Sequence, residues 1–231
     1  MQELNARPIT ASATTNQFLS RMYGWMGFGL GLTAVVSFFV VTTPAVMEFV
    51  FKTPGVFMGL MIAELAMVLG FSFLLNKITS TVASLLFVTY AAMNGVTLSV
   101  IFLAYTSASI AGTFAITAGM YVSMSIYGAV TKRDLTQVGS FAIMGLFGVV
   151  IASVVNMFTH SDSMGWMIGF IGVIVFTLLT AYDTQRAKEM GKFFASDSDE
   201  SRKASLMMAL ALYLNFINLF LSLLRLFGRR R

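Results

Sequence analysis

Long apolar stretches alternate with short polar breaks along almost the whole chain. Each stretch reaches the roughly 20 residues that a transmembrane helix needs to cross the hydrocarbon core of a bilayer. The stretches lie at 22–42, 56–75, 82–104, 108–130, 139–158, 165–183 and 205–227. The pattern predicts an all-α polytopic membrane protein, a seven-transmembrane-helix bundle that occupies residues 22–231.

The polar breaks predict how these helices are connected. Residues 1–21 are polar and predict a flexible N-terminal tail, without the features of a cleaved signal peptide. Segment 184–204 is the one long charged loop, whereas the connections around 105–107 and 160–163 are very short. Because short connections make neighbouring helices antiparallel, we expect a compact bundle.

Composition excludes most enzyme classes. Charged residues make up 11% of the chain and hydrophobic residues 57%, whereas a soluble domain has about 25% charged residues. The absence of cysteine excludes thiolate metal sites and cysteine nucleophiles, and His160 is the only histidine. No nucleophile can be paired with a base, so we expect no enzymatic activity and no cofactor.

The basic residues predict an orientation, because Lys and Arg are enriched in cytoplasmic loops. With the N-terminus in the cytoplasm, the outer loops between spans carry only Lys52. The basic residues of the inner segments are Arg7, Arg21, Lys77, Lys132, Arg133, Arg186, Lys188, Lys192, Arg202 and Lys203. We attribute the net charge of +5 to basic residues that set the membrane orientation and contact anionic lipids, and not to a surface that binds nucleic acid.

The basic C-terminus conflicts with this rule. An odd number of spans places Arg225 and Arg229 to Arg231 outside. Either the first six spans decide the orientation, or the last apolar segment is re-entrant and returns inside. We favour seven crossings because residues 205–227 are long enough to cross.

Three ionisable residues stand out in or at the ends of spans, where a charge is costly and marks a candidate site. Glu64 and Arg225 fall at overlapping predicted depths, so an ion pair between them is geometrically possible, either as a structural contact or as part of a gate. Asp183 ends the sixth predicted span. It is either a surface carboxylate beside Arg186 or a buried carboxylate that gates a pore.

The last span carries a polar stripe on one helical face. Its members are Asn215, Asn218, Ser222 and Arg225. Such a stripe should face the interior of the bundle, with Asn94 and Asn156 as possible partners. Interhelical hydrogen bonding alone explains each residue singly, whereas the stripe as a whole favours a polar path. Gly27-x-x-x-Gly31 and Gly165-x-x-x-Gly169 match a pattern that is typical of close helix packing.

Two closing motifs resemble the signature of the Bax inhibitor-1 family, in its bacterial inner-membrane branch. They are AYDTQR at 181–186 and LALYLNFINLFLSLLRLFG at 210–228. IAEL at 62–65, ASIAGTF at 108–114 and TKRDL at 131–135 also fit its bacterial members. The resemblance implies a seven-helix bundle with a central hydrophobic helix in the bacterial inner (plasma) membrane. It also implies a pH-responsive cation leak, chiefly of Ca²⁺.

The pH sensor that the resemblance implies is only partly present. In the family two aspartates of the last two helices share a proton. Asp183 matches the first of them, but Asn215 stands at the position of the second. An amide cannot ionise, although Asn215 can still donate a hydrogen bond to Asp183. We therefore expect altered and weakened pH gating. Glu64 and Arg225 match the family's outer acidic residue and its cationic partner.

A basic residue that latches the aspartate pair in the family falls at Leu75 here, and Lys77 is the nearest substitute. Two hypotheses follow from the resemblance. The first is a Ca²⁺ leak channel, with Ca²⁺ or protons as the ions, an inner gate at Asp183 and Asn215, and Asn218 on the route. The second is a non-conducting partner that modulates a membrane-bound ATP-dependent protease or a stress-response pathway. The identity of any bound metal stays open.

Overall fold

The computed structural model describes residues 7–74, 77–194 and 198–231. The helices are α1 (Arg7–Thr42), α2 (Pro44–Lys52), α3 (Val56–Leu74), α4 (Ser80–Leu98), α5 (Val100–Ala104), α6 (Ser107–Val130), α7 (Thr136–Thr159), α8 (Asp162–Gly191) and α9 (Asp199–Phe227). The one β-type pairing in the described residues is an isolated antiparallel bridge between Tyr105 and Arg230. The predicted all-α fold class is therefore confirmed.

Six of the described helices or helix pairs are long and apolar enough to cross a membrane. A seventh span results if α2 and the apolar part of α3 are counted together, although they are bent by 81°. Pro44 starts α2 and Gly55, with a φ of +83°, lies in the turn before α3. Such a turn favours glycine. The chain is a polytopic membrane protein with six or seven spans.

Several helices extend beyond their predicted ends, and α9 begins at Asp199, inside the segment 184–204 that was predicted as a loop. Helix α1 already begins at Arg7, so the described part of the predicted flexible tail is helical. Pro8 is compatible with this because it falls in the first turn, where its missing N–H is not needed. Helix α8 continues to Gly191, about 12 Å beyond Asp183 at 1.5 Å per residue. Asp183 is therefore not at the end of its helix.

The chain divides into two compact units. Unit 1 comprises residues 1–103 and 189–213, and unit 2 comprises residues 104–188 and 214–231. In unit 1, α1 approaches α4 closely at Gly95, where an added Cβ would lie 2.8 Å from the Thr33 carbonyl oxygen. The Asp199 carboxylate accepts a hydrogen bond from the Ser80 amide at 3.1 Å, which ties the start of α9 to the start of α4.

Unit 2 is built around an apolar cluster of α7, α8 and α9. Its buried members are Ala142, Val175, Phe176, Leu179, Leu219 and Leu223. Helix α6 joins through rings, because Tyr121 packs edge-to-face on Phe216 with centroids 5.4 Å apart. It also approaches α8 closely at Gly128, where an added Cβ would collide with the Ala181 carbonyl.

The two ends of unit 2 are defined by hydrogen bonds. At one end the Thr106 amide donates to the Arg229 carbonyl at 3.1 Å, so the start of α6 lies beside the end of α9. At the other end Lys188 Nζ donates to the Ala129 carbonyl at 2.6 Å. A helix of the 24 residues of α6 is about 36 Å long. The C-terminal arginines therefore lie at the opposite end from the basic loop at Lys132 and Arg133.

Lipid accounts for the many apolar side chains that the protein leaves exposed. Phe38, Phe73, Phe147 and Phe158 are each more than half exposed. Helix α9 is the exception: 72% of its most apolar stretch is buried, against 17% for α7. Helix α9 is therefore the helix on which buried polar side chains are most informative.

Candidate functional site

Asp183 of α8 and Asn215 of α9 form a buried polar pair inside unit 2. Asn215 Nδ2 donates to Asp183 Oδ2 at 2.7 Å. The two residues are 8% and 5% exposed, respectively. One helical turn further along α8, the Arg186 charge acts electrostatically on the Asp183 carboxylate. The hydrogen bond expected from the sequence is thus present, whereas the role of the pair as a gate stays a prediction.

The local sequence explains this pairing. Helices α8 and α9 contact each other along a row in which Gly172 lies against the Ser222 side chain and Leu179 shares the apolar cluster with Leu219. Asp183 follows Leu179 by four residues, and Asn215 precedes Leu219 by four. Residues spaced by four lie on the same helix face, so the row brings the acid and the amide together.

The other members of the stripe on α9 have different surroundings. Ser222 is buried, which agrees with an interior face. Asn218 is half-buried and its Nδ2 donates to the Leu214 carbonyl of its own helix at 2.8 Å. Arg225 is exposed. The stripe therefore runs from a buried end at Asn215 to an exposed end at Arg225.

The expected partners of the stripe have other hydrogen bonds. Asn94 Oδ1 accepts from the Tyr213 hydroxyl at 3.1 Å. Asn156 Oδ1 accepts from the Ser161 amide at 3.0 Å and closes the turn between α7 and α8. His160 occupies this turn with a φ of 49°, so Asn156 stabilises a left-handed turn instead of a polar path.

Glu64 belongs to a hydrogen-bonded network inside unit 1. Its Oε1 accepts from the Thr97 hydroxyl at 2.8 Å, and its carboxylate also interacts with the Asn94 side chain. Asn94 in turn accepts from Tyr213, whose hydroxyl lies 2.7 Å from Thr33 Oγ1. Glu64 is thus linked through α4 to α9 and α1, and this network was not predicted from the sequence.

The sequence contains little that predicts this network. Thr33, Thr97 and Tyr213 are residue types that apolar helices tolerate, and none is ionised at neutral pH. The one available signal was the spacing of Asn94 and Thr97, which places both on one face of α4. Glu64 lies in unit 1 and Arg225 in unit 2, so the ion pair between them stays a prediction.

The predicted latch position is outside what the structure covers. Leu75 lies outside the described residues. Lys77 follows the end of α3, where its backbone amide donates to the Leu74 carbonyl at 2.7 Å, and its side chain is exposed. In the described ranges no three His, Cys, Asp or Glu side chains cluster as metal ligands would.

A polar cavity of about 600 Å³ opens at the end of unit 2 where α9 ends. We call it the C-terminal pocket. Its lining residues are Asn156, His160, Ser161, Asp162, Gly165, Trp166, Arg225, Gly228 and Arg230. The pocket thus gathers the end of α7, the start of α8 and the end of α9, and it contains Arg225.

These features define a polytopic α-helical membrane protein with polar groups buried between its spans. The chain matches, over residues 15–231, the family model described as inhibitor of apoptosis-promoting Bax1. It therefore belongs to the Bax inhibitor-1 family, as its closing motifs indicated.

Bacterial relatives match along nearly the whole chain. The chain is 49% identical over 224 residues to the inner membrane protein YbhL of Escherichia coli, covering 96% of each chain. It is 44% identical over 216 residues to an uncharacterized protein of Borreliella burgdorferi, covering 94% of this chain and 93% of the relative. An uncharacterized protein of Rickettsia prowazekii is 40% identical over 215 residues, with 93% and 90% covered. These matches support a multi-pass protein of the bacterial inner membrane.

Proposed function

We propose that this protein is a cation leak channel for Ca²⁺ across the bacterial inner membrane, with its N-terminus in the cytoplasm. The observation that carries the proposal is the buried hydrogen bond from Asn215 to Asp183 at 2.7 Å. An acid held between two transmembrane helices is costly in a bilayer. A functional role, as a gate that opens when this contact breaks, explains why the acid is tolerated.

In this proposal Asn215 keeps the gate near its closed state. The amide donates to Asp183 as a protonated carboxyl would, but it cannot lose a proton as pH rises. The pair therefore never develops the repulsion between two carboxylates that would drive it apart. The leak is accordingly small and depends only weakly on pH.

The remaining candidate residues take roles along the same route. Asn218, half-buried one turn from Asn215, lines the path. Glu64 in unit 1 and Arg225 in unit 2 are the outer acidic and basic residues of this proposal, each within its own unit. Glu64 is held by Thr97, so its carboxylate has a fixed position in unit 1.

Ca²⁺ flux into proteoliposomes, measured at an acidic and a neutral pH, tests the proposal. We expect the wild-type protein to leak slowly and almost equally at both values. Asn215→Asp creates a carboxyl pair, which shares a proton at acidic pH and repels at neutral pH. This variant should therefore leak several-fold faster at neutral than at acidic pH.

Asn16→Asp is the control, because it makes the same amide-to-carboxylate replacement at an exposed position of α1 that has no role in the proposed path. It should leave the pH response as in the wild type. Absence of flux from both the wild type and Asn215→Asp would remove the channel proposal. An equal response of Asn16→Asp and Asn215→Asp would remove the assignment of the gate to the Asp183 pair.

A further inference from the structure

The C-terminal pocket is a built cavity that the proposed gate does not use. Its volume of about 600 Å³ falls in the range of small-molecule sites, which is about 300–1,000 Å³. Three different helices contribute its walls, so its shape is fixed by the packing of unit 2 and not by one loop. It is therefore the strongest candidate for a ligand site apart from the Asp183–Asn215 gate, and it contains Arg225, which the proposed function also places on the outer side.

The side chains that line the pocket are chiefly hydrogen-bond donors. Arg225 and Arg230 are planar guanidinium groups, which match the geometry of phosphate oxygens. Asn156 uses its Oδ1 to accept from Ser161, which leaves its Nδ2 directed toward Gly165, 3.5 Å from where a Cβ would lie. The His160 ring adds a further donor. Such a set favours an anion with several acceptor oxygens.

The one acidic side chain of the pocket does not neutralise it. Asp162 Oδ1 lies 3.9 Å from Arg230 Nη1, and the two side chains are 96% and 70% exposed. An exposed pair of this length contributes little to stability and can exchange for a better acceptor. Arg225 forms no ion pair within unit 2 in the residues that the structure describes, so its charge is unopposed there.

Two observations place the pocket at a membrane surface. Trp166 lines it, is 57% exposed and stacks on Phe170 with ring centroids 5.5 Å apart. Exposed tryptophan is enriched at the headgroup level of bilayers. The pocket also lies at the ends of α7, α8 and α9, where spanning helices reach the headgroups. The anion that is abundant at this level is the phosphodiester of a lipid.

The position of the basic C-terminus supports the same occupant. The hydrogen bond from Thr106 to Arg229 fixes this segment at the end of unit 2 opposite the basic loop at Lys132. On the proposed orientation these arginines face outward, against the usual distribution of basic residues. Phosphate groups of the outer leaflet would compensate charges that the topology disfavours.

We propose that the C-terminal pocket binds the phosphodiester headgroup of an anionic phospholipid, with Arg225 and Arg230 contacting the phosphate and Asn156 donating a further hydrogen bond. This assignment goes beyond the proposed leak, and only the choice of the outer leaflet rests on the orientation given with the proposed function. The binding is noncovalent, and the site lies at the surface of the membrane.

Fluorescence of Trp166 measures the binding directly. The chain has two tryptophans, so full-length Trp25→Phe protein in an uncharged detergent carries Trp166 as its only reporter. The probes are dihexanoyl-phosphatidylglycerol, dihexanoyl-phosphatidylcholine and inorganic phosphate. We expect saturable binding of phosphatidylglycerol, and binding of the other two probes that is at least tenfold weaker.

Matched variants separate the pocket from general surface charge. Arg225→Gln and Arg230→Gln should each weaken phosphatidylglycerol binding about tenfold, since each removes a charge-assisted hydrogen bond. Arg229→Gln removes the same charge from the neighbouring position, which does not line the pocket, and should change the affinity less than twofold. Asn156→Asp keeps the acceptor for Ser161 but replaces the free donor by a negative charge, and should also weaken binding about tenfold.

Native mass spectrometry of retained lipid repeats the comparison without the fluorescent reporter. Equal losses of phosphatidylglycerol affinity in Arg229→Gln and Arg230→Gln would mean that the lipid is attracted by the general surface charge, and would overturn the assignment of the pocket as the site. Equal affinity for phosphatidylcholine would overturn the selectivity for an anionic headgroup. Binding of inorganic phosphate as tight as that of phosphatidylglycerol, with the same variant pattern, would overturn the assignment to lipid.

Discussion

Each unit holds an acidic side chain on a transmembrane helix, but Asp183 of unit 2 is buried, Glu64 of unit 1 is half-buried, and the two are held in different ways. In unit 2, Asp183 is held by a hydrogen bond from Asn215 beside an apolar cluster that includes Leu179 and Leu219. In unit 1, the Glu64 carboxylate contacts both Thr97 and Asn94, and Asn94 in turn accepts a hydrogen bond from Tyr213. Among the described residues, Asp183 thus accepts a hydrogen bond from one amide, with the Arg186 charge nearby, whereas Glu64 belongs to a network of several partners.

The difference bears on which site is suited to switching. A network loses one link at a time, and the groups that remain can re-pair, so it holds its helices in register. A single contact between two helices has two clear states, made and broken. The pair in unit 2 is therefore the better candidate for a gate, whereas the network in unit 1 is better suited to fixing Glu64 in place.

Removing the donor in unit 2 should give the largest effect on stability. Asn215→Leu leaves the Asp183 carboxylate buried without its amide. We expect the free energy of unfolding in detergent to fall by about 1.5–3 kcal/mol, the range for a hydrogen bond to a charged group. Asp183→Leu combined with Asn215→Leu should recover most of this loss, because both polar groups are then gone. Thermal and denaturant unfolding of the purified variants measure both.

Asn218→Leu is the control for this experiment, since it makes the same replacement one turn along α9. Asn218 donates only to the Leu214 carbonyl of its own helix, so we expect a change below about 0.5 kcal/mol. If Asn215→Leu behaved like Asn218→Leu, the contact between Asp183 and Asn215 would contribute nothing to the folded state.

The network of unit 1 should respond less to the loss of one hydroxyl. Tyr213→Phe removes the hydrogen bond to Asn94 and the contact with Thr33, but Thr33 keeps its bond to the Ala91 carbonyl at 2.8 Å. We expect destabilisation of about 1 kcal/mol. Tyr182→Phe is the control, because Tyr182 packs through its ring against Gly139. A loss in Tyr213→Phe as large as in Asn215→Leu would contradict the contrast between the units.

The sequence was sufficient for the fold class because hydropathy reports burial in lipid directly. It was less informative about helix ends, since hydropathy and helix formation are different properties. Residues 184–191 include three charged side chains, so the predicted span ended at Asp183. Gln185, Arg186 and Ala187 nevertheless favour helix, and α8 continues to Gly191. Gly27 and Gly31 matched a packing pattern, but in the described structure no atom lies within 4 Å of a Cβ built there.

The sequence was informative about one half of the candidate site. Asp183 and Asn215 were identified because an acid and an amide in apolar spans are rare and because a family motif surrounds them. The network of Thr33, Asn94 and Tyr213 was not found, since its members are distant in the chain and meet only after α1, α4 and α9 pack. Long-range contacts of neutral polar residues leave little periodic signal in one sequence.

Asp134, an exposed acid in the loop before α7, is the third acid of the comparison, and its replacement should have the smallest effect on stability. Asp134 Oδ1 accepts from the Thr136 hydroxyl at 2.6 Å and from the Thr136 amide at 2.9 Å. These hydrogen bonds, the hydroxyl first, lower the pKa of Asp134 from its usual value. The stability that they provide is present above the unfolded pKa of about 3.9, and it is lost as pH falls through the lower folded pKa.

Asp134→Asn keeps an acceptor oxygen but removes the charge, so it isolates the charge-dependent part. We expect a slightly lower thermal midpoint than the wild type at neutral pH and a difference that vanishes in acid, with the fall between about pH 4 and the lower folded pKa. Thr136→Val, which removes the hydroxyl donor instead, should weaken the pH dependence in the same direction. A difference between Asp134→Asn and the wild type that stays constant with pH would mean that the carboxylate of Asp134 acts only by its shape and not by its charge.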